Sequence, residues 1–181
     1  MTAKNFFVLI SISLLFIAGC SSQKIQATGL EVEESQTVGW VENGKIAGTE
    51  EEVKLKLDTG ATTSSINAEI LEQPEEETES GGMIKFRFSD GEGVTKTFEL
   101  PITRWVRIES RTKDYIRRPV VRMKMCVAGR WIEEEVNLAD RDDFNYSVLI
   151  GRNMLAKGKL LVDSSQTFTK TPFCSTEEEQ Q

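Results

Sequence analysis

The segment Val53-Lys-Leu-Lys-Leu57 alternates apolar and charged residues with a strict period of two and runs directly into Asp58-Thr-Gly60. A helix would scatter those apolar side chains around its axis, whereas a strand gathers them on one face, so the pattern predicts a half-buried strand ending in a turn. The rest of the chain repeats this logic in short runs. Met83–Phe88 and Val94–Leu100 flank Ser89-Asp-Gly-Glu-Gly93, a hairpin signal. Trp105–Ile108, Val120–Val127, Trp131–Leu138 and Lys159–Val162 read as further strands, with Ala128-Gly-Arg130 as a tight connection. Only Arg152–Ala156 reads as a helix, and a short one. Many short strands with almost no helix predict an all-β architecture, closed or sandwich-like. No internal repeat is visible.

The chain has 181 residues, enough for one ordinary domain once its ends are set aside. Lys4 followed by the apolar run Phe6–Ala18 and then Gly19-Cys20 has the layout of a secretory signal, and the run is too short to span a bilayer as a stable helix. Its end, Ile17-Ala-Gly-Cys20, resembles the bacterial lipobox. That resemblance implies removal of residues 1–19, a lipid on Cys20 as membrane anchor, and a periplasmic location at the outer membrane. Residues 20–36 then form the lipidated cysteine and a polar tether, 37–175 the domain, and 176–181 a disordered tail. In an oxidising compartment the two remaining thiols, Cys126 and Cys174, are a candidate disulfide; the alternative is that Cys126 packs alone as a small core residue.

Composition removes whole classes of function. The chain contains no histidine, which excludes a His-ligated zinc, a Ser-His-Asp triad and an imidazole base. Its formal net charge of −7 is repelled by phosphate backbones, so no nucleic-acid partner is expected. Neither a metal nor a cofactor is implied by any motif. The glutamate-rich run Glu72–Glu79, broken by Pro74, reads as a solvated loop.

Chemistry has to run on carboxylates, hydroxyls, lysines or thiols, and Asp58-Thr59-Gly60 is the segment arranged for it. A carboxylate just past a strand sits at a loop tip, the Thr59 hydroxyl can brace that loop, and Gly60 permits close approach. Ser147-Val-Leu-Ile-Gly151-Arg-Asn-Met-Leu155 closely resembles the apolar strand, glycine and Arg-Asn helix of retroviral proteases, in which the strand crosses behind the aspartate loop. Pro119–Val127 and Arg130–Leu138 resemble the two strands that precede it. With Val38-Gly-Trp40, Leu57–Ser64, Trp105-Val-Arg107, Arg117–Val121, Asp140-Arg141 and Leu161-Val-Asp163, the pattern resembles the bacterial retropepsin-like family found beside RimK-type ATP-grasp ligases, from about Val38 to about Phe173.

This resemblance implies a retropepsin-like closed β-barrel with one short helix and an aspartic endopeptidase acting on a peptide or protein. Asp58, Thr59 and Gly60 would be catalytic, with Ala61, Ile150, Gly151 and Arg152 supporting them. Two carboxylates must share one proton, and one Asp-Thr-Gly per chain implies a homodimer that pairs Asp58 with its copy. Asp163-Ser-Ser165 is the intrachain alternative, against the commoner reading of a capping aspartate. Where the family leads one to expect a histidine, this chain has Asn67. Gly81, Gly82 and Met83 are the candidate flap over the substrate, or else a plain loop leading into a strand. Arg104, Arg107, Arg111, Arg117, Arg118 and Arg122 read first as a solvated strand face and, alternatively, as a surface for an acidic peptide. Trp40, Trp105 and Trp131 read as core aromatics. The competing function is a non-catalytic peptide-binding or scaffold lipoprotein that retains the fold.

Overall fold

The computed structural model describes residues 34–75, 81–108 and 115–174. Its elements are β1 (Gln36–Ile46), β2 (Val53–Leu57), β3 (Ser64–Asn67), β4 (Glu69–Glu72), β5 (Met83–Ser89), β6 (Thr95–Ile108), β7 (Ile116–Val127), β8 (Arg130–Ala139), β9 (Val148–Ile150), α1 (Arg152–Lys157) and β10 (Leu160–Thr167). The expected β character with one short helix is therefore what the described residues adopt. Hydrogen bonding joins the strands in the order β10-β1-β2-β9-β3-β8-β7-β6-β5-β4, and β1 also pairs with β7 across Gly44–Ile46. That extra pairing makes the strand order return on itself from β1 round to β7. The remaining strands continue outward from it.

Strict alternation appears where it was read. In β2 Val53, Leu55 and Leu57 are buried while Lys54 is exposed, and in β5 Ile84, Phe86 and Phe88 are buried. These residues join Ile66, Met125, Val136, Ile150 and Met154 in one core. Ala128 and Gly129 both adopt positive φ, 52° and 81°, which is the twist a two-residue hairpin needs between β7 and β8. Trp105 packs against the core and Trp40 meets Tyr146 edge-on at 6.0 Å.

β1 was not named as a strand in the sequence reading, and three further elements differ from it. β3 was not expected; its four residues, Ser-Ser-Ile-Asn, are all buried between β8 and β9. β4 is an exposed strand at the end of the sheet order. Where two strands were expected over Val94–Leu100 and Trp105–Ile108, β6 is continuous. It pairs with β5 as far as Pro101 and with β7 from Ile102 onward, shifting register between Ile102 and Arg104. Pro101 lacks an amide donor, and this change of partner is where a strand tolerates it.

The C-terminal segment is fastened to the body at two points. Cys126 and Cys174 form a disulfide, with Cα atoms 6.0 Å apart. The Glu42 carboxylate, fully buried, accepts hydrogen bonds from the backbone amides of Gly39, Thr169 and Lys170 and from the Thr169 hydroxyl. Burial alone would raise its pKa, but those donors together hold it below the usual carboxylate value.

Candidate active site

The Asp58 loop owes its position to a parallel pairing. β2 and β9 run side by side with Leu57 opposite Ile150, and the Asp58 amide donates to the Ile150 carbonyl at 2.8 Å. The Asp58 side chain is partly exposed, at 28 %. Its Oδ1 accepts the Gly60 amide at 2.9 Å, and its Oδ2 lies 3.6 Å from the Lys56 ammonium. A carboxylate that accepts the amide two residues on turns the chain at its own position, which fixes where its free oxygen edge points.

The next residues are held from α1. Arg152 donates through one guanidinium nitrogen to the Thr59 and Gly60 carbonyls, at 3.0 and 2.9 Å, and through the other to the Thr62 hydroxyl at 2.8 Å. The Arg152 and Asn153 amides donate to the Ala61 and Thr62 carbonyls. This corrects one expectation: the Thr59 hydroxyl makes no hydrogen bond among the described residues, and Arg152 does the bracing assigned to it. A Cβ on Gly151 would lie 2.7 Å from the Thr63 carbonyl carbon and 2.9 Å from the Ser64 nitrogen, so the loop and α1 approach this closely only over a glycine.

Behind the loop lies a web of neutral polar groups that the sequence reading did not single out. The Ser64 amide and hydroxyl both donate to Asn153 Oδ1 at 3.0 Å, and the Ser64 hydroxyl accepts the Gly151 amide. Asn153 Nδ2 donates to the Glu135 carbonyl at 2.7 Å, while Asn137 bonds both Ser64 and Ser65. Every buried side-chain nitrogen and oxygen among the described residues has a partner. A web this complete resists opening, because each broken bond would leave a buried or half-buried polar group without its partner. The sequence signal was present in the Asn of the Arg-Asn helix and in Ser64 at the end of the aspartate motif.

Beside the loop is a cavity of about 320 Å³ whose walls include Ala61, Thr62, Val106, Ile108, Arg118 and Arg141. Val106 and Ile108 lie on β6 opposite Arg118 and Ile116 on β7, so the β6–β7 hairpin faces the aspartate loop. Of the candidate flap residues, Gly81 and Gly82 exchange backbone hydrogen bonds with Ile102 and Met83 pairs with Pro101, so this segment leads into β5 and runs along β6.

Arg141 is buried, with its backbone amide on Asn67 Oδ1 at 2.8 Å, its Nε on the Tyr146 carbonyl at 3.1 Å and its guanidinium 4.6 Å from the Phe144 ring centre. Asn67, which also bonds Asp142 and the Ser89 carbonyl, thus positions the segment that carries this arginine. Burial lowers the pKa of Arg141, the neighbouring Arg118 charge lowers it further, and Asp58 opposes both. Arg118 is likewise lowered by burial, opposed by Asp140. Neither arginine has a carboxylate within ion-pair distance among the described residues.

Elsewhere in the basic stretch, Arg104 pairs with Glu135 at 2.6 Å and Arg122 sits 3.5 and 3.7 Å from Glu133 and Glu134, as a solvated strand face would. Asp163 lies in β10 and accepts from the Ser165 amide and hydroxyl, which caps its own turn rather than offering a partner to Asp58. Cys20 and Arg111 lie outside the described residues.

A family model described as RimB-like, retropepsin-like aspartic endopeptidase RimB, matches residues 37–172. Two curated proteins named probable alpha-L-glutamate ligase, from Shewanella pealeana and Shewanella halifaxensis, are each 27 % identical over 117 residues, or 64 % of this chain. The match spans only 25 % of the length of those relatives. The crystal structure of Lpg0085 from Legionella pneumophila, a protein of unknown function, superposes with a TM-score of 0.63 at 27 % identity, covering 76 % of this chain and all of that one. The chain belongs to the RimB-like family of retropepsin-like aspartic endopeptidases.

Proposed function

We propose that this protein is an aspartic endopeptidase that works as a homodimer and cleaves acidic peptides. The observation that supports the reading is a partly exposed Asp58 on a loop braced by Arg152, whose following residues Ala61 and Thr62 share a cavity with Arg118 and Arg141. With Asp58 of a second copy alongside, one carboxylate takes a proton from a water while the other, protonated, hydrogen-bonds the scissile carbonyl. The hydrated carbonyl then collapses, the amide nitrogen receives a proton and the bond breaks. Thr59, next to Asp58, is exposed, and its hydroxyl makes no bond among the described residues. Arg118 and Arg141 supply desolvated guanidinium groups whose natural counter-ions are substrate carboxylates. The name of the curated relatives, glutamate ligase, fits a substrate carrying glutamate. A lipid on Cys20 would hold the enzyme at the periplasmic face of the outer membrane.

The test is cleavage of glutamate-containing peptides at several pH values between about 4 and 7, where a shared-proton pair operates. Cleavage by the wild type with none by Asp58→Asn is the expected result. Equal cleavage by both would overturn the reading, and so would none from a folded, dimeric sample. A strict monomer in solution would favour a peptide-binding lipoprotein instead.

A further inference from the structure

Asn67 is the last residue of β3, and β3 stands between β8 and β9 in the sheet. The segment joining those two neighbours, residues 140–147, therefore crosses the end of β3, where Asn67 meets it near both ends. The Asn67 amide donates to the Ser147 carbonyl at 2.7 Å, and its Oδ1 accepts the Arg141 amide at 2.8 Å. Its Nδ2 donates to Asp142 Oδ1 at 2.9 Å and to the Ser89 carbonyl at 3.2 Å. One acceptor and two donors on a short planar group are thus all in use. An ionised aspartate offers no donor, a neutral histidine one donor and one acceptor, and an aliphatic side chain neither, so the carboxamide suits these three partners where those would not.

The Arg141 side chain finds its partners inside this same segment: Nε donates to the Tyr146 carbonyl and the guanidinium lies over the Phe144 ring. It is carried as a unit with the segment, and it lines the cavity beside the aspartate loop. At the far end the Ser147 hydroxyl also donates to the Asp90 carbonyl, at 3.0 Å, so it is the Arg141 end that depends on the Asn67 side chain. We infer that Asn67 is a positioning residue for substrate selection: its carboxamide fixes where the Arg141 guanidinium stands and so sets the preference for acidic over neutral peptides. The inference rests on the acidic-peptide reading above. A guanidinium recognises a carboxylate directionally, through two parallel N–H bonds, so a displaced Arg141 keeps its charge but loses that fit. A side chain that touches no substrate thereby governs selectivity through the backbone amide of one that does.

The experiment follows binding of fluorescently labelled poly-L-glutamate by anisotropy, using the full-length chain carrying Asp58→Asn. Asn67→Ala and Arg141→Ala are each expected to weaken binding about tenfold, and the two together no more than either alone, because both remove one contact. Asn67→Ser, which restores a single hydrogen-bonding group, should fall between. Melting separates this from plain destabilisation: the stability lost through Asn67→Ala persists when Arg141→Ala is present, whereas the affinity lost through it disappears. Asp142 is exposed, so Asp142→Ala serves if Asn67→Ala does not fold. Weaker binding is expected there although a negative charge has gone, and equal or tighter binding overturns the inference. In the active enzyme Asn67→Ala should lower the ratio of kcat/KM for an acidic peptide to that for a neutral one, through KM. Additive losses of affinity, or unchanged affinity in folded Asn67→Ala, overturn the inference and leave the acidic-peptide reading standing. Absence of poly-L-glutamate binding with Asn67 and Arg141 both intact removes that reading and the inference with it. Coupled losses of binding, in a protein that cleaves nothing, would sustain the role of Asn67 while removing the peptidase reading.

Discussion

The four carbonyls from Thr59 to Thr62 are each bonded to Arg152 or Asn153, whereas across the cavity Arg118 and Arg141 meet no carboxylate among the described residues. One region spends its polar groups internally and the other keeps charge in reserve. A loop that presents a reacting carboxylate has to stay put, and complete hydrogen bonding achieves that. A surface that recognises an ionic ligand has to be left unsatisfied until the ligand arrives. Substitutions on the braced side should thus cost stability, and those on the charged side should cost binding.

The largest separation comes from Asp58→Asn, which keeps the Gly60 turn and removes the titrating group. Turnover should fall on the order of a thousandfold or more, with an unchanged melting curve. Asn153→Ala, on the braced side, strands the Ser64 amide and the Glu135 carbonyl. It should cost about 3 kcal/mol, or roughly 10 °C in the thermal midpoint. A shift within a degree or two would show that the web does not carry the loop. Arg118→Ala should do the reverse, raising KM for an acidic peptide about tenfold, equivalent to about 1.4 kcal/mol, with little change in melting. A neutral peptide of the same length should not notice.

The smallest effect concerns neither side but the C-terminal strap. Because the folded-state pKa of Glu42 lies below its unfolded value, its stabilisation is complete above the ordinary carboxylate range of about 4 and is lost as pH falls through the lowered value. Glu42→Gln should melt lower than wild type near neutrality, by about 1 kcal/mol, and the gap should close in acid. A gap that stayed constant between pH 3 and 6 would assign the effect to packing.

Alternating β2 and β5 were legible because each faces the core on one side and solvent on the other. β3 was not, since Ser64, Ser65 and Asn67 look like loop residues until Asn137, Asn153 and Arg141 supply their partners. The aspartate, the glycine beside α1 and the bracing Arg152 could be named from a resemblance carried by local motifs. Placing the facing hairpin required knowing which strands pair. Arg118 hid among arginines of a strand face, because burial and the absence of a counter-ion are properties of the tertiary structure.

The bond between Cys126 and Cys174 joins residues 48 apart and closes only after nearly the whole domain has been synthesised. A loop of that length contributes about 4 kcal/mol by restricting the unfolded chain. Material made where thiols stay reduced therefore has to hold this segment through the Glu42 contacts and the bonds that Phe168 and Thr169 make to Val41 and Gly39. Two preparations of identical sequence would differ in how firmly the end of the chain is sewn down, and the difference would record where each was made.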